Sequence, residues 1–208
     1  TRYNHQALGD IFDLVEAEGV PRLCFYHLVY AGRGTRIREA SLAPQETRQA
    51  VDLIFQRTTE LHGRGHPVEV LTVDNHTDAP YLYLRVKEER PAQAAQVYDL
   101  LKLNGGNSSG VGIGDIDSQG RVHADQFWGH YTFGNVRERP FSQIWEDTTD
   151  PLMAGLKDRR PLLKGRCARC AYLDLCGGNF RVRAEAVYGD VWAPDPACYL
   201  TDPEIGIG

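Results

Sequence analysis

The sequence predicts an α/β fold, in which parallel strands alternate with helices and lead into a smaller α+β region built around thiols. Three observations carry this expectation. Apolar runs of strand length alternate with helical periodicity between residues 5 and 103. Small residues then interrupt that rhythm at Asn104-Gly-Gly-Asn-Ser-Ser-Gly110. Beyond them, four of the five cysteines fall between residues 167 and 198.

Taken in order, residues 5–19 place Leu8, Ile11, Phe12 and Val15 at helical spacing and end at Gly19, a natural stop. Residues 22–30 are a nearly continuous apolar and aromatic run, which predicts a strand buried on both faces. It ends at Ala31-Gly-Arg-Gly34, expected to be a flexible loop. Pro44 opens a second helix over 44–64, carrying Val51, Leu53, Ile54 and Leu61. Residues 67–73 form the next strand, with Asp74-Asn75-His76 at its end, and residues 91–103 a third helix. The small-residue run from Asn104 marks a boundary, so the expected units are 1–104 and 105–208. In the second unit, residues 111–117 and 121–124 flank Ser118-Gln-Gly120 and predict a β-hairpin. Asp115 and Asp117 echo the start of a calcium loop, but Gln126 stands where the closing Glu belongs, so a plain hairpin turn is expected. Short helices follow from Pro140 and over 179–187.

Composition narrows the classes of function. The chain has 208 residues, 42% hydrophobic and 25% charged, with a formal net charge of −5. No basic stripe predicts a nucleic-acid partner, and no apolar stretch reaches the roughly 20 residues of a membrane helix. Clustered cysteines point to metal ligation in a reducing compartment, so a cytoplasmic location is expected. The chain begins without Met and inside a helical pattern, which suggests a piece of a longer protein.

The strongest chemical signal is Cys167-Ala-Arg-Cys170, then Cys176-Gly-Gly, then Asp-Pro-Ala-Cys198, a C-x2-C-x5-C-x21-C pattern. The first pair puts two thiols on one tight loop, and the glycines let the backbone pass close to a bulky centre. Four converging thiolates describe either a tetrahedral zinc site or an iron–sulfur cluster. Arg33, Arg36, Arg181 and Arg183 are candidates for pairing with substrate carboxylates, against ordinary surface charge. His76, at a strand end, is the most suggestive histidine. His27 reads as a core residue, and His123 and His130 as a weak pair that could reach an iron. Cys24 reads as a small buried apolar residue.

The hairpin Gly114-Asp-Ile-Asp-Ser-Gln-Gly-Arg-Val122, the turn Phe133-Gly-Asn-Val136, the helix Phe141-Ser-Gln-Ile-Trp145 and the cysteine loop together resemble the SPASM or twitch extension of radical SAM enzymes. Residues 22–34 and 71–75 look like the last strands of a radical SAM partial barrel. Cys176-Gly-Gly-Asn-Phe-Arg-Val-Arg183 and Trp192-Ala-Pro-Asp-Pro-Ala-Cys-Tyr-Leu200 resemble the members that act in heme d1 biosynthesis. The resemblance implies a partial (β/α) barrel over 1–104 and a SPASM/twitch-like domain over 105–208. It implies replacement of propionate side chains of a didecarboxysiroheme by oxo groups. Cys167, Cys170, Cys176 and Cys198 map onto the ligands of an auxiliary [4Fe–4S] cluster. S-adenosyl-L-methionine (SAM), a second [4Fe–4S] cluster and an electron-donor protein are further implied, with Arg33 and Asn75 near the SAM pocket and Arg181, Arg183 and His76 toward substrate. Two departures limit this. Asn107-Ser-Ser109, Asp125 and Phe180 stand where fuller SPASM domains carry more cysteines, leaving ligands for one auxiliary cluster. The C-x3-C-x2-C loop of the SAM cluster is not among these residues, so the chain alone is expected to be inactive.

Overall fold

A computed structural model describes all 208 residues. The fold is mixed α/β, as expected, and it is rich in helix with few strands. Helix α1 (Leu8–Ala17) turns Phe12 and Val15 inward. Strand β1 (Arg22–Tyr26) pairs in parallel with β2 (Glu69–Val73), Cys24 lying opposite Leu71 and Tyr26 opposite Val73. Helix α2 (Pro44–Gly63) makes the crossover between them, with the Glu46 carboxylate accepting from the Ala43 N–H at 2.6 Å.

The strand expected over 22–30 is shorter and less buried than its composition suggests. After Tyr26 only the His27 N–H continues the ladder, to the Val73 carbonyl at 2.9 Å. The Leu28 carbonyl instead accepts from the Arg183 guanidinium at 3.1 Å, so the chain leaves the sheet. The sheet has two strands, and helices cover one face. Leu23, Phe25 and Val70 pack with Phe12, Val15, Ile54 and Leu61. The opposite face carries Arg22, Cys24, Tyr26, Glu69, Leu71 and Val73, since successive residues alternate. On it Tyr26 is 69% exposed and Leu71 38%. Cys24 there is half-buried, not a core residue. The loop expected after β1 is a run of 3-10 helix from Gly32 to Ala40.

Helix α3 (Asp78–Glu89) has no counterpart among the expected elements. Pro80 is compatible with its first turn, and Tyr81 and Leu84 turn into the core. A 3-10 turn at Pro91–Gln93 leads into α4 (Ala94–Asn104), which ends on left-handed Gly105. The hairpin forms, shorter than expected, from β3 (Asp115–Ile116) and β4 (Arg121–His123). The Asp117 carboxylate accepts from the Gln119 and Arg121 N–H groups, each at 2.9 Å, which makes this a side-chain-capped turn. The expected Gly-Asn turn adds a third strand, β5 (Gly134–Asn135). Short helices α5 (Phe141–Glu146), α6 (Pro151–Lys157), α7 (Gly165–Arg169), α8 (Leu173–Cys176) and α9 (Arg181–Tyr188) complete the chain.

Residues from both sides of Asn104 share two of the three core clusters. Val29 packs with Trp128, Leu156, Phe180 and Val182, and Val51 and Tyr81 pack with Tyr199, Leu200 and Ile205. This packing sets the cysteine loop against the C-terminal ends of the strands.

Candidate metal centre

Cys167 sits in α7, Cys170 caps it, Cys176 ends α8, and Cys198 comes from the loop after α9. All four line one cavity with Thr77, Arg166, Asn179 and Asp195. Two glycine positions make that approach possible. Gly106 and Gly177 are both left-handed, at φ +72° and +61°. A Cβ on Gly106 would lie 2.2 Å from the Cys176 carbonyl carbon, and one on Gly177 3.0 Å from the Asn107 backbone. The small-residue run at 104–110 therefore wedges against the cysteine loop, and the Asn107 N–H donates to the Cys176 carbonyl at 3.2 Å.

Burial pushes the thiols of Cys170, Cys176 and Cys198 above the ordinary thiol range. Cys176 is raised most, by burial first and then by the nearby negative charge of Cys167, Cys170 and Cys198. Four half-buried thiolates crowded on one cavity repel one another without a compensating cation, so the donor set suits a positively charged metal centre. Four cysteine donors suit a tetrahedral zinc ion and an iron–sulfur cluster alike.

The surrounding polar groups brace this loop. Arg183 and Asp195 form an ion pair whose side chains are both 0% exposed, Nε to Oδ1 at 2.9 Å. Asp195 also accepts from the N–H groups of Phe180 at 2.9 Å and Ala197 at 2.7 Å. Arg183 reaches further, donating to the Leu28 and Asp74 carbonyls, each at 3.1 Å. Arg181, 1% exposed, donates to the Ala193 carbonyl at 2.6 Å and to the Val191 and Gly178 carbonyls. The expectation that Arg181 faces substrate is corrected here: its guanidinium is spent on the loop that delivers Cys198. Arg183 touches the edge of a cleft, but its donors are committed in the same way. Arg159 was not anticipated at all. It is 9% exposed and ties Asn107, Ser109 and Gly177 together through their carbonyls. Burial, and then Arg181 nearby, lower it to about 10. No motif announces it, because an arginine next to Arg160 reads as surface charge.

Two larger clefts flank the strand ends. One, of about 380 Å³, runs along β1 and is lined by His5, Tyr26, His27 and Arg183. The other, of about 640 Å³, lies between β2 and the hairpin region and is lined by Asp74, His76, Ser109, Asp125 and Phe180. Asn75 borders both and is 4% exposed, its amide donating to the Ala197 carbonyl at 3.2 Å. Arg33 is exposed and lines neither, so the two residues expected at one SAM pocket do not come together. His76 stacks on Phe180, ring centroids 5.4 Å apart. Burial, and then Arg183, lower it to about 4, so its imidazole is neutral near pH 7. Asp125 and Asp74 are both raised, chiefly by burial. His27 is held by buried Asp78 at 3.0 Å, and Asp78 accepts from the Tyr199 hydroxyl at 2.7 Å. His123 bonds the Tyr131 carbonyl through Nδ1 and lies 3.5 Å from Asp117 through Nε2, His130 bonds Glu185 through Nε2, and neither lines the two clefts.

No helix is long and apolar enough to cross a membrane. No protein-family model matches the chain. Individual relatives do. The chain is 63% identical over 208 residues to Fe-coproporphyrin III synthase of Methanosarcina barkeri, covering 99% of this chain and 52% of that protein. It is 46% identical over 208 residues to pre-heme d1 synthase of Dinoroseobacter shibae, covering 51% of that protein. An AdoMet-dependent heme synthase of Nitratidesulfovibrio vulgaris is 27% identical over 204 residues, again with 51% of its length covered. The chain spans about half the length of the curated relatives it matches. The resemblance read from the cysteine loop and its flanks is upheld, and the chain is a close homologue of Fe-coproporphyrin III synthase and pre-heme d1 synthase along 99% of its own length.

Proposed function

We propose that this chain is part of a radical SAM enzyme that modifies the side chains of an iron tetrapyrrole, and that Cys167, Cys170, Cys176 and Cys198 hold one auxiliary [4Fe–4S] cluster. In this reading residues 1–104 contribute to a partial (β/α) barrel and residues 105–208 form a SPASM/twitch-like domain. SAM, its own [4Fe–4S] cluster and an electron-donor protein belong to the complete enzyme in the cytoplasm. The observation that carries the reading is the convergence of four thiols on one cavity, in a chain that is 63% and 46% identical to two tetrapyrrole synthases.

A cluster bound there supplies one-electron transfer beside the substrate. The protein's part is to hold the thiolates and keep water away. Arg183, Asp195 and Arg181 fix the loop that delivers Cys198, and Gly106 admits Cys176. Anaerobic reconstitution followed by iron, sulfide and zinc analysis tests the cluster. The expected result is about four irons with matching labile sulfide per chain in excess of the SAM cluster. Stoichiometric zinc without sulfide at these cysteines would overturn it in favour of a structural zinc module.

The reaction itself has two readings. The expectation from the cysteine loop is replacement of propionates on a didecarboxysiroheme by oxo groups. The 63% identity to a protein named for iron-coproporphyrin III, against 46% for the heme d1 enzyme, favours iron-coproporphyrin III as the product. Incubating the complete enzyme with didecarboxysiroheme and SAM, with mass analysis of the tetrapyrrole, separates the two. A tetrapyrrole recovered unchanged, with modification of a peptide instead, would refute both.

A further inference from the structure

Seven histidines are present, and nearly all of their imidazoles have a local explanation. His27, His62, His123 and His130 are hydrogen-bonded to protein acceptors at 3.0, 2.8, 2.6 and 2.8 Å. His66 is on the surface beside Glu16. A bond through one ring nitrogen leaves the other able to bind a metal, so position decides: only His76 lines the larger cleft, and His5 and His27 line the smaller one. His5 faces the smaller cleft from the first turn of the chain. His76 faces the larger one, and its ring is already held by stacking on Phe180.

The larger cleft sets apolar walls from Ile54, Phe55, Val70, Leu82 and Phe180 beside the imidazole of His76. Its volume of about 640 Å³ lies within the range of cofactor pockets, about 300–1,000 Å³. Asp74, Asp78 and Asp125 line it and no Lys or Arg does, so a ligand's carboxylates are repelled from its walls and have to face outward. A neutral imidazole is a good axial ligand for a macrocyclic iron. The backbone adds a second argument. The His76 N–H donates to the Asn179 side chain at 3.0 Å, and Asn179 and Thr77 both line the thiol cavity. His76 thus stands between the cleft and the four cysteines.

We propose that His76 is the axial ligand to the iron of the bound tetrapyrrole substrate, seated in the cleft between β2 and the hairpin region. This rests on the tetrapyrrole reading above and adds to it the atom that recognises the metal. Recognition in this cleft goes through the iron and the ring face, and the carboxylated edges point out of it.

The test uses the complete enzyme, reconstituted anaerobically, and two probes: iron-coproporphyrin III, the product favoured above and so a ligand of the substrate's own site, and metal-free coproporphyrin III. Binding is followed by the Soret band and electron paramagnetic resonance. His76→Phe keeps the stack on Phe180 but removes the nitrogen, and His76→Ala with added imidazole supplies a replacement ligand. The expected result is about tenfold or greater weakening for the iron porphyrin in H76F, with the metal-free affinity little changed. Loss of the nitrogen-ligated iron spectrum and its recovery in H76A with imidazole are expected alongside. If H76F and H76A bind the iron porphyrin with the wild-type spectrum, or if His5→Ala is what removes that spectrum, the assignment of His76 is wrong while the tetrapyrrole reading stands. If the wild-type enzyme binds neither porphyrin, the tetrapyrrole reading itself fails and the assignment fails with it.

Discussion

Replacing Arg183 by Met removes one half of an ion pair that is fully enclosed. The structure shows what is left behind. Asp195 keeps its bonds from the Phe180 and Ala197 N–H groups but loses three contacts from the guanidinium, at 2.9, 3.1 and 3.1 Å. The Leu28 and Asp74 carbonyls lose donors as well. Stranding one member of a buried pair costs about 3–5 kcal/mol. For a domain of this size that corresponds to a fall in melting temperature of roughly 6–20 °C. The double variant Arg183→Met, Asp195→Ala removes both charges but orphans the two N–H groups, each worth about 1–3 kcal/mol when buried. It should therefore be less stable than wild type, yet cost less than the sum of the two single variants by about 2 kcal/mol or more. Urea unfolding of the metal-free protein, read by tryptophan fluorescence, gives all four values. A loss below about 1 kcal/mol for Arg183→Met would refute the reasoning. It would mean that the guanidinium is solvated and free to meet a ligand, as its sequence position first suggested.

Other consequences are direct. Changing Cys176 or Cys198 to Ser should abolish the auxiliary cluster, seen as lost iron and sulfide with the circular-dichroism spectrum retained. Gly106→Ala places a Cβ 2.2 Å from the Cys176 backbone at a φ of +72°, and should cost about 1–3 kcal/mol or more in denaturant and lower cluster occupancy. His76 makes stability depend on pH. Its folded value of about 4 lies below the ordinary 6.5, so the unfolded chain takes the proton first as pH falls. Stability from this group is complete above 6.5 and drains between 6.5 and about 4, amounting to about 2 kcal/mol between pH 7 and pH 5. Replacement by Phe should flatten that slope in paired unfolding curves, and an unchanged slope would exclude His76 as its source.

The sequence by itself determined the features that are local. Helical periodicity placed α1, α2 and α4, since an amphipathic stripe needs only its own neighbours to be legible. The C-x2-C spacing and the glycines after Cys176 announced a thiol centre, because a tight loop around a bulky group restricts residues that are adjacent in the chain. What only the tertiary structure decided is where long side chains end. Arg181, Arg183 and Arg159 read as charge for solvent or substrate, and the fold buries each among carbonyls from segments as distant as Leu28 and Asn107. The strand predicted to Tyr30 stops at Tyr26 because Arg183, more than 150 residues later, takes the Leu28 carbonyl. His76 was singled out for its place at a strand end, but its freedom from partners, its stack on Phe180 and its position between cleft and cysteines are properties of packing. A side chain's reach is set by the local chain, whereas the partner it finds is set by which distant segments the core brings together.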